Sequence, residues 1–150
     1  MAIIYSYPTG TVKATDMLIG SDPTIVGNPT KNFRVGDIST FVKDDILGYT
    51  QYTSLVTQAG VTAPTDVILK NDTGVTMTWG YTSPGVYTLT SSSPIFTNNK
   101  TIVFLNMGRP AIPNLVWMWT RTSDTVITIE NSAISDAKIV NGAFEIRIYS

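Results

Sequence analysis

The sequence predicts a mainly β protein, in which a short amino-terminal anchor precedes a β-sandwich or jelly-roll-like domain. After Gly48, short apolar segments rich in threonine alternate with turn residues, the pattern of an all-β sandwich. Residues 1–47 carry few large apolar side chains, and so short a segment buries too little apolar surface to fold alone. We therefore divide the chain into an anchor, residues 1–47, and a self-sufficient β domain, residues 49–150.

The anchor is predicted to combine extended segments with one short helix. Residues 17–19 form a short apolar strand, and residues 32–35 are a candidate partner strand. A helix is predicted to begin at Gly36-Asp37, where Asp37 is a cap or a first-turn carboxylate that interacts favourably with the helix dipole. Its apolar face falls at the spacing of an amphipathic helix and comprises Ile38, Phe41, Val42 and Ile46. The predicted helix is about ten residues long, which is too short for a helix to be stable in isolation.

The β domain is predicted to contain eight strands. Val75, Met77, Trp79 and Tyr81 alternate with polar residues or glycine, which is typical of a half-buried strand. The predicted strands cover residues 53–57, 66–70, 75–81, 86–90, 101–105, 115–121, 126–129 and 143–149. A closed barrel is the alternative to a two-sheet sandwich.

Composition excludes several classes of function. The net charge is −1 and the ten basic residues are scattered, so the clustered positive surface that binds nucleic-acid phosphates is not expected. The absence of cysteine and histidine removes the usual zinc, copper and haem ligands, and we expect no cofactor. No apolar run is long enough to span a membrane.

The sequence offers no convincing catalytic site. A hydrolase uses a paired acid and base, or a nucleophile beside a base, and the two glutamates, Glu130 and Glu145, both lie in or beside predicted strands. Two carboxylates alone support glycoside hydrolysis in some enzymes, but their spacing here gives no indication of such a pair. We therefore expect a protein that is not an enzyme.

Aromatic residues present two kinds of candidate. Trp79, Trp117 and Trp119 are interpreted as core or interface residues because indole rings bury large apolar areas, although a sugar-binding platform is the alternative. Tyr81 and Tyr87 flank a Ser-Pro-Gly turn and are the candidates for surface recognition.

The apolar residues of the anchor have no obvious core of their own. One alternative is that they fold back on the β domain as an extra strand and helix. The other is that they dock on another chain by strand addition or by filling grooves. The candidate docking residues are Ile3, Ile4, Tyr5, Tyr7, Pro8, Leu18, Ile19, Phe33 and Val35.

Three segments of the anchor resemble an amino-terminal signature of small virion structural proteins of tailed bacteriophages. They are YSYPT at 5–9, DMLIGSD at 16–22 and TKNFRVGDI at 30–38. The family pattern runs YSYPT…DLLIGTD…KTKNF-x-V-x-DI, from which Met17 and Ser21 depart conservatively.

The β domain is similar to the one that often follows this signature. The matching residues are TQAG at 57–60, Ala63-Pro64, Trp79 with GVYT at 85–88, NKT at 99–101, WTRT at 119–122 and EIRIY at 145–149. The connection between residues 106 and 116 matches least well.

The resemblance implies a head fibre or capsid decoration protein, anchored by its amino end and displaying a β domain. It implies binding to capsid or other virion proteins, self-association as a trimer more often than a dimer, and assembly into virions in the host cytoplasm. Attachment to the tail or neck is the alternative. A tip that binds a glycan or host receptor through Tyr81, Tyr87 and Arg109 is a further alternative.

Overall fold

A computed structural model describes residues 11–21, 26, 30–42, 47–106 and 115–150. The chain separates into two compact units, Met1–Gly48 and Tyr49–Ser150. Strands make up 53% of the described residues, against one short helix, so the protein is mainly β. In this part of the chain the strands form three antiparallel sheets.

The first unit contains a two-stranded sheet followed by a helix. Strand β1 (Met17–Ser21) pairs antiparallel with β2 (Thr30–Arg34), which confirms the predicted partnership. Helix α1 (Val35–Phe41) follows β2 directly, with Asp37 in its first turn. The helix therefore begins one residue before the predicted start at Gly36-Asp37, and Asp37 lies in its first turn as predicted. Ile46 of the predicted apolar face lies outside the described residues.

Residues 49–106 and 115–150 of the second unit contain eight strands in two four-stranded sheets. The strands are β3 (Tyr49–Thr57), β4 (Thr65–Asn71), β5 (Met77–Ser83), β6 (Val86–Ser91), β7 (Thr101–Asn106), β8 (Trp117–Arg121), β9 (Val126–Asn131) and β10 (Gly142–Tyr149). Sheet A has the order β4-β3-β10-β7, and sheet B has the order β5-β6-β9-β8. Each of the eight strands predicted for this region is present.

The core of the second unit contains side chains from both sheets. Alternate residues of β10 are buried, as are alternate residues of β6 and β9, because successive side chains of a strand point to opposite faces. Phe144 of sheet A and Trp79 of sheet B meet edge to face, with their ring centroids 5.0 Å apart. Such pairs add about 0.5–1.5 kcal/mol to the stabilisation from burial alone.

Candidate docking surfaces

The β1–β2 sheet presents apolar side chains to solvent. Leu18 lies directly opposite Phe33 across the two strands, and the two side chains are 51% and 38% exposed. Gly20 lies beneath the Phe33 ring, since a Cβ atom there would come within 2.9 Å of Phe33 Cε2. The missing side chain at Gly20 therefore makes room for the ring on this surface.

Two further docking candidates differ in their exposure. Ile19 is 77% exposed and alternates with Leu18, so it belongs to the opposite face of β1. Val35 is half-buried at the start of α1, where its N–H donates to the carbonyl of Asp16 at 2.9 Å. Val35 thus fixes the junction between β2 and α1 and presents less surface to a partner than Ile19 does.

Helix α1 adds exposed apolar side chains to the same unit. Ile38, Phe41 and Val42 are 39%, 55% and 41% exposed, and their spacing places them on one side of the helix. Among the described residues between 11 and 48, no side chain is buried. The described part of this unit therefore has apolar surface without a core of its own.

Six of the predicted site residues lie outside the described part of the chain. They are Ile3, Ile4, Tyr5, Tyr7, Pro8 and Arg109.

The prediction that Tyr87 is a surface residue is wrong. Its ring is completely buried, and its hydroxyl donates to Gln58 Oε1 at 3.1 Å and to Asp136 Oδ1 at 3.3 Å. Burial raises the pKa of Tyr87, and the nearby Asp136 carboxylate raises it further. The side chain faces the core because it alternates in phase with Leu89 and Ser91.

Tyr81 is half-buried and is also engaged within the protein. Its hydroxyl donates to Asp136 Oδ2 at 3.1 Å, and its ring centroid lies 6.2 Å from that of Tyr87. Partial burial and the hydrogen bond to Asp136 raise the pKa of Tyr81. The alternation of Met77, Trp79 and Tyr81 already contained the signal that Tyr81 shares the inner face of β5.

Asp136 and Gln58 organise the loop between β9 and β10. Asp136 Oδ1 accepts from the Gly85 N–H at 3.1 Å, while Gln58 Oε1 accepts from the Ala137 N–H. The Gln58 side-chain amide donates to the carbonyl of Thr62 at 3.1 Å. These hydrogen bonds connect the β3–β4 loop, the β9–β10 loop and the β5–β6 turn. Tyr81 and Tyr87 bond to Asp136 in the same network, so these two tyrosines have a structural role.

The tryptophans occupy positions in and around the core. Trp79 is buried, and Trp117 and Trp119 are half-buried and pack against the core cluster. The Trp117 ring centroid lies 6.4 Å from that of Tyr87. The interpretation as a core residue is confirmed for Trp79, whereas the interpretation of Trp117 and Trp119 as core or interface residues stays a prediction.

Sequence reasoning missed an aromatic and charged cluster on the outer face of sheet A. The Arg147 guanidinium lies 5.0 Å from the ring centroids of both Tyr49 and Phe104, and its Nε donates to Glu145 Oε1 at 2.6 Å. The hydrogen bond to Glu145 raises the pKa of Arg147. The strand pairing brings these residues together, so the linear pattern gave no signal for the cluster.

The sequence predicted strand β4, but it did not predict that the apolar side chains of this strand are exposed. Val67, Ile68 and Leu69 are 64%, 51% and 59% exposed. An apolar segment of this kind reads in the sequence as a buried strand, and only its place at the edge of sheet A leaves it open to solvent.

A small cavity of about 240 Å³ lies beside the β8–β9 turn. Two charged residues line it, Arg121 and Asp124, and these form an ion pair with each other. Arg121 also donates to the carbonyl of Phe96. The cavity is smaller than the roughly 300–1,000 Å³ of typical ligand sites, and its charges are already neutralised.

The described residues contain no group of three or more side chains suited to holding a metal ion. In the same part of the chain, no helix has the length and apolar character needed to cross a membrane.

Comparison with known proteins found no matching family model, no similar curated protein and no similar solved structure.

Proposed function

We propose that this protein is a non-enzymatic structural component of a tailed-bacteriophage virion, a head fibre or decoration protein. In this proposal residues 1–47 attach to capsid subunits, and residues 49–150 form the displayed domain. The observation that carries the proposal is the exposed apolar surface of the first unit. Leu18, Ile19 and Phe33 belong to the segments that resemble the phage signature, and all three are exposed.

The physical argument for docking rests on the size and composition of the first unit. A two-stranded sheet is at best marginally stable in water, and a helix of seven residues is shorter than isolated helices that persist. When a partner buries the exposed apolar side chains of such elements, the removal of apolar surface from water stabilises the folded, bound form of the unit. A capsid subunit that pairs with the strands or receives the side chains in grooves would provide this burial.

The displayed domain is proposed to be a β-sandwich. Two four-stranded sheets that share one core are the components of that architecture. Three hairpins, β3–β4, β5–β6 and β8–β9, each remain within one sheet. This strand order favours a sandwich built from hairpins over a jelly roll, in which successive strands alternate between the two sheets.

A truncation tests the proposed anchor. We expect that deleting residues 1–35 leaves residues 49–150 folded, as judged by circular dichroism, and abolishes co-sedimentation with empty phage capsids. A matched variant, Val61→Ser, removes an apolar side chain that is 72% exposed in the second unit and should keep full capsid binding.

Two outcomes would redirect the proposal. Capsid binding by the folded truncated protein would show that residues 1–35 are not the anchor. If the full-length protein does not co-sediment with capsids but does co-sediment with tails, the proposed attachment site moves from the capsid to the tail or neck.

A further inference from the structure

The β1–β2 sheet of the first unit has two free edges, one along each strand. Within the described residues, β1 and β2 are hydrogen-bonded only to each other. An edge strand presents every second pair of backbone N–H and C=O groups outward, where another extended strand can bond to them. The register of the two strands decides which residues point outward.

The register assigns one outward-facing residue near the middle of each strand. The Val35 N–H donates to the carbonyl of Asp16 at 2.9 Å, and from this bond the two strands pair without a shift. Hydrogen-bonded and non-hydrogen-bonded pairs alternate along an antiparallel ladder. Ile19 lies opposite Asn32, three positions further along, so this pair is not hydrogen-bonded. The backbone groups of Ile19 and Asn32 therefore point to the two free edges.

The two free edges differ in charge and in apolar surface. On β1, Met17, Leu18 and Ile19 are consecutive, uncharged and more than half exposed. On β2, Lys31 and Arg34 carry positive charges. Charged side chains, lysine above all, are a common means of keeping further strands off a sheet edge. The edge of β1 is therefore the one suited to receive another strand.

The chemistry of the β1 edge specifies its ligand. Donors and acceptors that alternate along an extended backbone are matched by a second extended backbone, as in recognition by strand addition. Leu18 and Ile19 point to opposite faces of the sheet, so an added strand lies beside apolar groups on both faces. Removing an unpaired charge from water at such a place is costly, which selects an uncharged, apolar segment.

A third strand also stabilises the unit that receives it. A two-stranded sheet is at best marginally stable in water, whereas three strands with an apolar face can be stable together. Among the described side chains of β1 and β2, none is buried. The added strand supplies backbone hydrogen bonds along β1 and removes part of this apolar surface from water.

We propose that a capsid subunit contributes an extended, uncharged apolar segment that pairs with the free edge of β1 and completes a three-stranded sheet. This pairing rests on the proposed function, and it selects strand addition over the filling of grooves by side chains. The Ile19 N–H donates to a backbone carbonyl of the capsid segment, and the Ile19 carbonyl accepts from a backbone N–H of the same segment.

Two substitutions at Ile19 separate strand addition from groove filling. Proline has no backbone N–H, and an edge strand tolerates it where that N–H faces outward. Ile19→Ala removes most of the side chain but keeps the N–H. We expect Ile19→Pro to weaken co-sedimentation with empty phage capsids at least about tenfold more than Ile19→Ala, because a capsid carbonyl loses its donor. Side-chain docking in a groove predicts equal losses.

Asn32→Pro is the matched control for the proline substitution. Asn32 lies directly opposite Ile19, and its N–H points to the free edge of β2. A proline there removes the same kind of donor from the same sheet, so it reproduces any general disturbance of the β1–β2 pair. We expect Asn32→Pro to bind capsids as the wild-type protein does.

Hydrogen exchange at single amides locates the added strand. In the free protein the outward N–H of Ile19 should exchange readily, because it has no partner strand. With capsids in excess, it should gain more protection than the outward N–H of Asn32. Protection of Ile19 in the free protein would instead show that another part of this chain, or a second copy, already occupies the edge.

Three results would overturn the proposed pairing: equal capsid binding by Ile19→Pro and Ile19→Ala, equal losses in Ile19→Pro and Asn32→Pro, or protection of the Ile19 N–H before capsids are added. In each case a wild-type protein that binds capsids leaves the proposed function standing. If the wild-type protein does not co-sediment with capsids, the proposed function fails and the strand pairing fails with it.

Discussion

At the scale of single residues, the structure shows where glycine is required. Gly74 and Gly85 both have positive φ, at +78° and +74°, which side chains with a Cβ atom adopt at a penalty. They differ in their surroundings. A Cβ atom at Gly85 would come within 2.8 Å of the Ser135 backbone nitrogen, whereas at Gly74 nothing lies within 4 Å.

This pair of glycines separates backbone strain from steric conflict. We expect Gly74→Ala to lower the free energy of unfolding by about 1–2 kcal/mol, from the backbone penalty alone. Gly85→Ala should cost about 1–3 kcal/mol more, because the added methyl group overpacks a backbone contact. Urea unfolding monitored by tryptophan fluorescence measures both values, and equal losses would contradict the predicted contact with the loop around Ser135.

At the scale of elements, the two units differ in how their strands are covered. Strands β3 and β10 pair with each other along eight residue pairs, and both contribute side chains to the core. Strands β1 and β2 pair along five residues, and every side chain of β2 is exposed. Covered strands open only with large parts of the fold, whereas uncovered strands open locally.

Amide hydrogen exchange measures this difference. In the absence of a capsid partner, we expect the amides of β1 and β2 to exchange at least about 100-fold faster than the core amides of β3 and β10. Bound to capsids, β1 and β2 should become protected while β3 and β10 change little. Strong protection of β1 and β2 in the free protein would argue that this pair of strands has a stable core of its own.

At the scale of the whole molecule, buried tyrosines tie stability to pH. Tyr52 is completely buried and its hydroxyl donates to Asp66. Burial raises the pKa of Tyr52, as does the bond to Asp66, and burial also raises the pKa of Tyr87. In both cases folding favours the neutral, protonated form.

The sign of the pH dependence follows from these shifts. As pH rises past the ordinary tyrosine pKa of about 10, the unfolded chain loses these protons first and is stabilised. The contribution of these tyrosines to the free energy of unfolding should therefore be fully present below that pH and decline above it. Urea unfolding at increasing pH measures this decline, and a flat profile well above pH about 10 would contradict it.

The variant Tyr87→Phe removes one of the tyrosines whose pKa is raised by folding. It should lower the free energy of unfolding at neutral pH by about 1 kcal/mol, because the hydrogen bonds to Gln58 and Asp136 are lost. It should also reduce the slope of the alkaline decline, whereas loss of a packing contact alone would leave the slope unchanged.

The sequence by itself determined the local features of this protein. Alternation of apolar and polar residues, together with short apolar runs between turn residues, identified the eight strands of residues 49–150, because the side-chain period of a strand is set by local backbone geometry. The same alternation placed Trp79 on a buried face. The shift in composition near residue 48 indicated two parts, and the chain separates into compact units between Gly48 and Tyr49.

Only the tertiary structure decided which strands are neighbours and which are edges, because strand order depends on contacts between residues distant in the sequence. Tyr87 looked like a surface residue beside a turn, but the loop carrying Asp136, some fifty residues away, closes over it. Residues 66–70 were predicted as a strand without a position in the sheet, and in the described part of the chain β4 is the last strand of its sheet. An apolar run has the same local pattern whether its strand is central or peripheral, so only the assembled sheet shows that β4 is exposed.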